Sequence, residues 1–480
     1  MKKKGLYNLF SALCLILCAV PLICMAFART DASIENRTPA EWPSLTNEGK
    51  LNTRVLGEAG DYFNDHYAFR QYLVSADAGI QSRIFSVSNV DTVIRGEDGW
   101  LYYTDTLSDY AGRTLSPRQI KGIAHNLKLA QDYAEDQGAQ FLLAIPPNKN
   151  TLYGEHMPYY DSRKVSGTSN LELLAPQLKE QKISRVNLLK LFRKQDDVLY
   201  LKRDSHWDNR GARLVYDAML DKLGKEHRDF NSTPAVRTKT EIGDLGRMLF
   251  PVTAEPEWNV YYDLPEAYKY TTDFTSVEDA LIDTKNKSQT DSLLMYRDSF
   301  GNTLIPFAAE AFKNARFSKM VPHNLAADME ETKPDYVIFE KVERNLDEFL
   351  TNPPVIPAPA VKLKGKVSAA PADAKAKKSA GTGAQISVSE AEADMSFLLF
   401  TGAVPENVPE NAELFLRLKT DKGTKTYEVF WTVADGADGW AAYLPKEAVS
   451  GTHVKAQIIM RQDGGLQRIG SAKLKMPANP

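Results

Sequence analysis

The chain has 480 residues, 43% of them hydrophobic and 25% charged, with a formal net charge of -3. That length allows two or three domains, and the composition is that of an ordinary globular protein. A near-neutral balance supplies no basic field for nucleic acid, and no Cys/His spacing of the zinc-binding kind occurs.

The N-terminus carries Lys2, Lys3 and Lys4 ahead of a nearly continuous apolar run from Leu6 to Ala28. A basic flank before a membrane-length apolar segment points to export. Ala26-Phe27-Ala28 matches a cleavage site, so secretion after cleavage at Ala28 is one outcome. The run exceeds the about 7–15 apolar residues of a signal peptide, which favours an uncleaved anchor over residues 1–29. Either way the rest of the chain is extracytoplasmic. All three cysteines (Cys14, Cys18, Cys24) fall inside this segment, which leaves the exported part without a disulfide framework or a cysteine nucleophile.

Residues 30–50 are polar and Pro-containing, a spacer above the membrane. Val55, Leu56, Ala59, Tyr62, Phe63, His66 and Phe69 recur at helical spacing, which predicts a helix within 51–85. Gly96-Glu97-Asp98-Gly99 is a turn into a short strand at Trp100-Leu101-Tyr102-Tyr103. Ser116-Pro117 starts a helix whose apolar face is Ile120, Ile123, Leu127, Ala130 and Ala134. An alternation follows: strand Gln140–Ile145, helix Asn170–Leu178, strand Arg185–Leu189, helix Asn209–Leu223, strand Ser292–Tyr296, helix Thr303–Phe312, strand Tyr336–Glu340. Helices between short apolar strands predict an α/β fold with a parallel sheet covered on both faces.

Composition changes near residue 351. Residues 351–383 are rich in Pro, Ala and Lys and read as a linker. Residues 384–480 show short alternating segments with turn signals at Asp421-Lys422-Gly423 and Asp463-Gly464-Gly465, which predicts a small all-β sandwich.

Two short segments carry the chemistry. Ser299 sits in Arg297-Asp298-Ser299-Phe300-Gly301-Asn302, between a strand and a helix, and Arg203-Asp204-Ser205-His206-Trp207 lies upstream. A serine hydroxyl needs a base to remove its proton, His is the usual base, and an acid orients the imidazole. Ser299 is thus the candidate nucleophile, His206 the base and Asp204 the orienting acid. Residues two apart on an extended segment face one side, which lets Asp204 and His206 share a pocket. Helix N-terminal N–H groups near Ser299 can stabilise an oxyanion. Gly301 would let backbone approach a substrate, and Asn302, Arg297 and Asn148 are candidate donors. Against this stands a structural reading: Asp-Ser before a helix is a common N-cap, and His206-Trp207 alone is compatible with a packed polar–aromatic pair. No metal or cofactor is called for by the sequence.

At these residues the chain resembles the SGNH-hydrolase-like proteins of alginate O-acetylation, the AlgX/AlgJ type, and most of all their DHHW relatives. The resemblance runs over about 34–350. It includes Glu35-Asn36-Arg37, Tyr62 to Arg70, Gly99 to Tyr103, Pro147-Asn148-Lys149-Asn150-Thr151-Leu152-Tyr153, Asp204-Ser205-His206-Trp207, Arg297 to Asn302 and Pro334 to Glu340. It departs at Ser205, where the DHHW pattern has His. The resemblance implies a catalytic domain over 30–350 with a circularly permuted SGNH-like fold, since acid and base precede the serine. It also implies transfer or hydrolysis of acetyl groups on a cell-surface polysaccharide, with a membrane-bound O-acyltransferase as acetyl donor. Relatives can carry a carbohydrate-binding module at the C-terminus, where Trp431, Trp440 and Tyr443 would either stack on sugars or pack a core. The alternative is a non-catalytic glycan-binding or scaffold protein of an envelope assembly complex.

Overall fold

The computed structural model describes residues 2–25, 27, 39–47, 49–81, 88, 90–369, 386–434, 436–449, 451 and 453–477. The Glu35-Asn36-Arg37 motif and most of the Ala26-Phe27-Ala28 site lie outside them. Helix α1 (Lys2–Cys24) is long and apolar enough to cross a membrane, and almost none of it is covered by protein. The single helix expected within 51–85 is two, α2 (Val55–His66) and α3 (Arg70–Ile80). The break falls at Phe69, whose φ of 64° is left-handed and incompatible with continued helix.

The central unit is built from α4 (Pro117–Asp136), β1 (Gln140–Ala144), α5 (Asn170–Glu180), β2 (Arg185–Val186), α6 (Asn209–Leu223), β3 (Lys269–Tyr270), β4 (Leu281–Lys285), β5 (Ser292–Tyr296), α7 (Ile305–Ala311), β6 (Asn314–Ser318), α8 (Leu325–Thr332) and β7 (Tyr336–Glu340). Local chemistry sets the helix starts. Ser116 and Ser169 make capping boxes with Gln119 and Glu172, and Asp208 accepts from the Arg210 and Gly211 amides. The segment expected as strand to Leu189 turns helical at Leu188, because the Asn187 side chain caps the Lys190 amide.

These strands form one seven-stranded sheet in the order β2-β1-β7-β5-β6-β4-β3. The five from β2 to β6 are parallel, whereas β4 and β3 add antiparallel to one edge. Alternate residues of each central strand enter two separate cores. Leu294, Tyr296, Val337, Phe339, Phe141 and Leu143 join α4, α5 and α8. Leu293, Met295, Ile338, Leu142 and Ala144 join α6 and α7. The sheet is therefore covered on both faces, and the fold is α/β.

The C-terminal region is strand-rich, as expected, but begins earlier. Ala360–Val361 (β8) and Val367–Ala369 (β9), inside the stretch read as a linker, join β10 (Ser387–Glu390), β11 (Phe397–Ala403), β12 (Glu413–Thr420), β13 (Gly423–Glu428), β14 (Phe430–Ala434), β15 (Ala437–Pro445), β16 (His453–Gln462) and β17 (Gly465–Lys475). The sheets run β8-β13-β12-β16-β17-β9 and β10-β11-β15-β14. Val355 and Ile356 are fully buried, so 353–361 is packed chain rather than spacer, and only 370–385 lies outside the described residues.

This β unit is docked on α4. Asn126 accepts from the Trp431 amide and donates to the carbonyls of Trp431 and Phe349, all buried. Arg118 pairs with Asp438 at 2.9 Å. Trp431, Trp440 and Tyr443 are 8%, 0% and 6% exposed and belong to the core continuous with the α/β unit. Their expected alternative role as sugar platforms is removed, because no ring face is open to a ligand. Replacing Trp431 with Ala should cost about 3–5 kcal/mol, the range for deleting a buried large aromatic. Urea unfolding of the variant checks it, and an unchanged midpoint would refute the docked arrangement.

Candidate active site

Ser299 stands where β5 ends, at the C-terminal edge of the central sheet, where open α/β sheets place their ligands. The turn that follows is 3₁₀ (Phe300–Leu304), and its backbone is not capped by the serine. Asp298 does that work: its Oδ1 accepts from the Phe300 amide at 2.9 Å and its Oδ2 from the Val342 amide at 2.8 Å. The Ser299 hydroxyl is thereby left free, and it lies 2.8 Å from His206 Nε2.

The base arrives on the loop that enters α6. Tyr200 and Trp207 form an antiparallel bridge, and the Leu201 amide donates to the His206 carbonyl. Lys149, fully buried, donates to the carbonyls of Leu201, Lys202 and Asp204 at 3.1, 3.0 and 2.5 Å. Burial lowers its pKa to about 8 against the pull of Asp204, Asp244 and Glu257. Trp207 donates to Thr303 Oγ1 at 2.6 Å and packs edge-on against Phe300, which ties the base loop to the serine turn.

Asp204 Oδ1 accepts from both the backbone N–H and Nδ1 of His206, at 2.8 and 2.6 Å, and Oδ2 accepts from the Asp244 amide at 2.9 Å. With Nδ1 donating to the carboxylate, Nε2 is the acceptor for the serine hydroxyl. Burial works to raise the Asp204 pKa, but the His206 charge and these hydrogen bonds win and hold it well below the carboxylate range. Burial works to lower the His206 pKa, but Asp204 and, further off, Asp244 outweigh it and the net shift is upward.

Asp244 escaped the sequence reading. Its Oδ2 accepts from Ser205 Oγ at 2.5 Å and lies 3.7 Å from His206 Nδ1. Ser205, the residue that departs from the DHHW pattern, thus links the base loop to a second acid. Burial, then the charge of Asp204, raise the Asp244 pKa. A side chain at Gly243 would put its Cβ 2.3 Å from the Arg203 carbonyl, so only glycine lets this turn approach. The only sequence signal was Gly243-Asp244 before a short apolar run, which is no more than a helix start. The ligand atoms of Asp204, His206 and Asp244 lie within 4.8 Å of one another, the spacing of a metal site, but each already has a protein partner in the hydrogen bonds above.

The four auxiliary candidates have other partners. Arg297 is fully buried, and its guanidinium donates to Asn302 Oδ1 (2.5 Å) and to the Val277 and Asp279 carbonyls. Burial lowers its pKa to about 10. Asn302 gives its amide to Glu278 Oε1 at 2.7 Å. At Gly301 an added Cβ would sit 2.6 Å from Arg297 Cβ and 2.8 Å from Glu340 Oε2, so the space beside its Cα is filled by protein. Asn148 is fully buried, donating to Asp109 and Glu343 and accepting from the Arg344 amide. In their place the structure offers the Ser299 amide, which has no acceptor among the described residues, and Arg344. The Arg344 guanidinium lies 5.5 Å from the Phe300 ring and 5.4 Å from that of Tyr103, close enough to oppose the rise in the His206 pKa.

A hydroxyl, an imidazole and a carboxylate are thus hydrogen-bonded in series at the edge of an α/β sheet. Residues 93–291 match the family model described as "SGNH hydrolase-like domain, acetyltransferase AlgX", and this part of the chain is similar to that domain. Asp204 and His206 fall inside the match and Ser299 just past its end. Among curated proteins, the chain is 27% identical over 211 residues to a probable alginate O-acetylase AlgJ of Pseudomonas syringae pv. tomato, covering 42% of this chain and 51% of that one. It is 22% identical over 233 residues to the probable alginate O-acetylase AlgJ of Pseudomonas aeruginosa, covering 46% and 56%. The chain therefore spans about half the length of the curated relatives it matches. Among solved structures, Bacillus cereus PatB1 is 16% identical with a TM-score of 0.43, covering 54% of this chain and 98% of that one. The O-acetyltransferase domain of Pseudomonas putida AlgJ is 17% identical with a TM-score of 0.36, covering 53% and 91%.

The raised His206 pKa has a consequence for rate. A general base must be neutral, so kcat/KM on an ester should rise with pH through a midpoint above the ordinary histidine value of about 6.5. Asp244→Asn removes a negative charge that favours the imidazolium, so the midpoint should move to lower pH. A pH–rate profile of both proteins checks the sign.

Proposed function

We propose that this protein is a serine-dependent O-acetyltransferase or acetylesterase of polysaccharide, working outside the cytoplasm and held to the membrane by α1. The observation that carries the reading is the run of contacts from Ser299 Oγ to His206 Nε2 (2.8 Å) and from His206 Nδ1 to Asp204 (2.6 Å), within reach for proton transfer.

Ser299 Oγ attacks the acetyl carbonyl carbon while its proton passes to His206 Nε2. The oxyanion that forms meets the Ser299 amide and the positive charge of Arg344. The intermediate collapses with loss of the donor's oxygen, which takes the proton from His206, and leaves acetyl-Ser299. A sugar hydroxyl then gives its proton to His206 and attacks the ester, and that proton passes on from His206 Nε2 to Ser299 Oγ as the serine leaves, which forms the O-acetyl sugar and restores the neutral base. Water in place of the sugar gives acetate. Asp204 stays ionised throughout and stabilises the imidazolium. No step calls on a metal ion or a cofactor. Acetyl-CoA is not available outside the membrane, so transfer requires a membrane-bound O-acyltransferase that hands acetyl groups across. The names of the AlgJ relatives favour a polysaccharide acceptor. The domain division follows from this reading: 30–350 as the catalytic unit and the β unit as its docked companion.

The experiment uses an activated acetyl ester as donor. Ser299→Ala and His206→Ala should each lower turnover by roughly 10³-fold or more, as loss of a triad member does. Mass spectrometry of the parent protein quenched during turnover should find one acetyl group on Ser299. Unchanged turnover in Ser299→Ala, with native circular dichroism, would remove this mechanism.

A further inference from the structure

The apolar periodicity of α2 and α3 has no core to serve. Among the described residues of α2 none is buried, although Val55, Leu56, Ala59, Tyr62, Phe63 and His66 form one stripe. Leu56 is 86% exposed and Phe63 41%. On α3, Phe69, Tyr72, Leu73, Ala76 and Ile80 recur at i, i+3, i+4, i+7 and i+11, so they share a face. That face is opposite Ser75 and Ala78, the residues α3 buries against the body. Tyr72 is 62% exposed and Ile80 55%. A soluble helix turns such a stripe inward; here Leu56 and Phe63 on α2 and Phe69, Tyr72, Leu73 and Ile80 on α3 point outward.

Three observations say what covers it. The first is connection to α1, the apolar helix. The Tyr67 hydroxyl, at the tip between α2 and α3, donates to the carbonyls of Leu17 and Cys18 at 3.1 and 2.9 Å. The second is depth. Cys18 lies six residues from the helix end at Cys24, about 9 Å along the axis at 1.5 Å per residue. Interfacial amphipathic helices sink about 5–10 Å into the headgroup and acyl boundary. The third is composition. Trp42, Tyr62, Phe63, Tyr67, Phe69 and Tyr72 concentrate here, with Trp42 packed edge-on against Tyr62 and Phe63. Trp and Tyr are the residues of the membrane–water interface. The segment mixes Lys50, Arg54 and Arg70 with Glu58, Asp61, Asp65 and Asp77, so apolar burial and not net charge drives the contact.

We infer that the α2–α3 hairpin is a second membrane contact, lying in the outer interface with the faces of Leu56, Phe63, Phe69, Tyr72 and Leu73 immersed in lipid. The inference rests on the reading of α1 as a membrane span. It is tested on the full chain in phosphatidylcholine nanodiscs, with Cys14, Cys18 and Cys24 changed to Ser and one nitroxide label introduced at a time. Labels are attached at Leu15→Cys on α1, at Leu56→Cys and Tyr72→Cys on the hairpin, and at Lys422→Cys on the β unit. The readout is accessibility to oxygen against a water-soluble nickel chelate. The label at 15 should be lipid-like, the label at 422 water-like, and those at 56 and 72 should shift from the value at 422 towards that at 15. A lipid-like 15 with water-like 56 and 72 overturns the hairpin contact and leaves the span standing. A water-like 15 overturns the span and the hairpin contact together. Labels at 56 and 72 shielded from both reagents mean cover by protein, a second copy or another chain, and also overturn it.

Discussion

An imidazole held at both nitrogens is the constraint on which this molecule depends. His206 is useful as a base only if Nδ1 is fixed by an acid and Nε2 is aimed at a hydroxyl. Here the hydroxyl belongs to a residue 93 positions away. Two separate pieces of architecture meet that demand. The serine is placed three residues past the end of a strand buried on both faces, at the start of the turn that follows. The imidazole is placed by a loop pinned from three sides: Lys149 on its carbonyls, Asp208 at the start of α6, and Trp207 on Thr303. The Trp207 contact joins the two pieces directly, so neither can shift without the other.

The same site separates the ionisation of neighbouring acids. Asp204 accepts three N–H bonds and is driven towards the charged form, whereas Asp244, behind it, is driven towards the neutral form by burial and by that charge. Glu340, at the end of β7, repeats the pattern beneath the serine turn: buried and beside Asp298, its pKa is raised well above normal. Two like charges at close range in a dry site repel, so burial and the neighbouring carboxylate make Asp244 and Glu340 harder to ionise. Both Asp204 and Asp244 favour the protonated imidazole, against burial and the charge of Arg344.

Much of this was legible in residue pattern. Strands Ser292–Tyr296 and Tyr336–Glu340 and helix Asn209–Leu223 are visible because their ends are marked by local signals and their interiors by uninterrupted apolar or amphipathic spacing. The three site residues were legible for a chemical reason: few side-chain combinations can activate a hydroxyl. What escaped was whatever depends on distant pairing. Asp244 reads as a helix start until Ser205 is seen against it, and Arg344 is one cation among many until Phe300 and Tyr103 are seen beneath it. Asn302, Arg297 and Asn148 have the chemistry of substrate ligands, but chemistry does not tell which way a side chain points, and all three point into protein, while the space beside Gly301 is filled by Arg297 and Glu340. The Pro-rich run after 351 misled for a related reason. Proline forbids a central strand but tolerates packed extended chain, and Val355 and Ile356 show the latter.

Periodicity reports that a face is apolar and is silent on what covers it. The stripe of α4 and the stripes of α2 and α3 have the same spacing, yet the first is buried by the sheet and the β unit while the others face outward. This contrast bears on how an anchored enzyme would work. A single span would leave the catalytic unit free to swivel about a tether, and the acceptor serine would sample every orientation to the membrane. A hairpin resting in the interface removes most of that rotation. Orientation fixed in advance lowers the entropic cost of meeting a donor that is itself confined to the bilayer. On this view the outward aromatic faces and the buried triad serve one requirement, that the acyl group and the serine arrive in register.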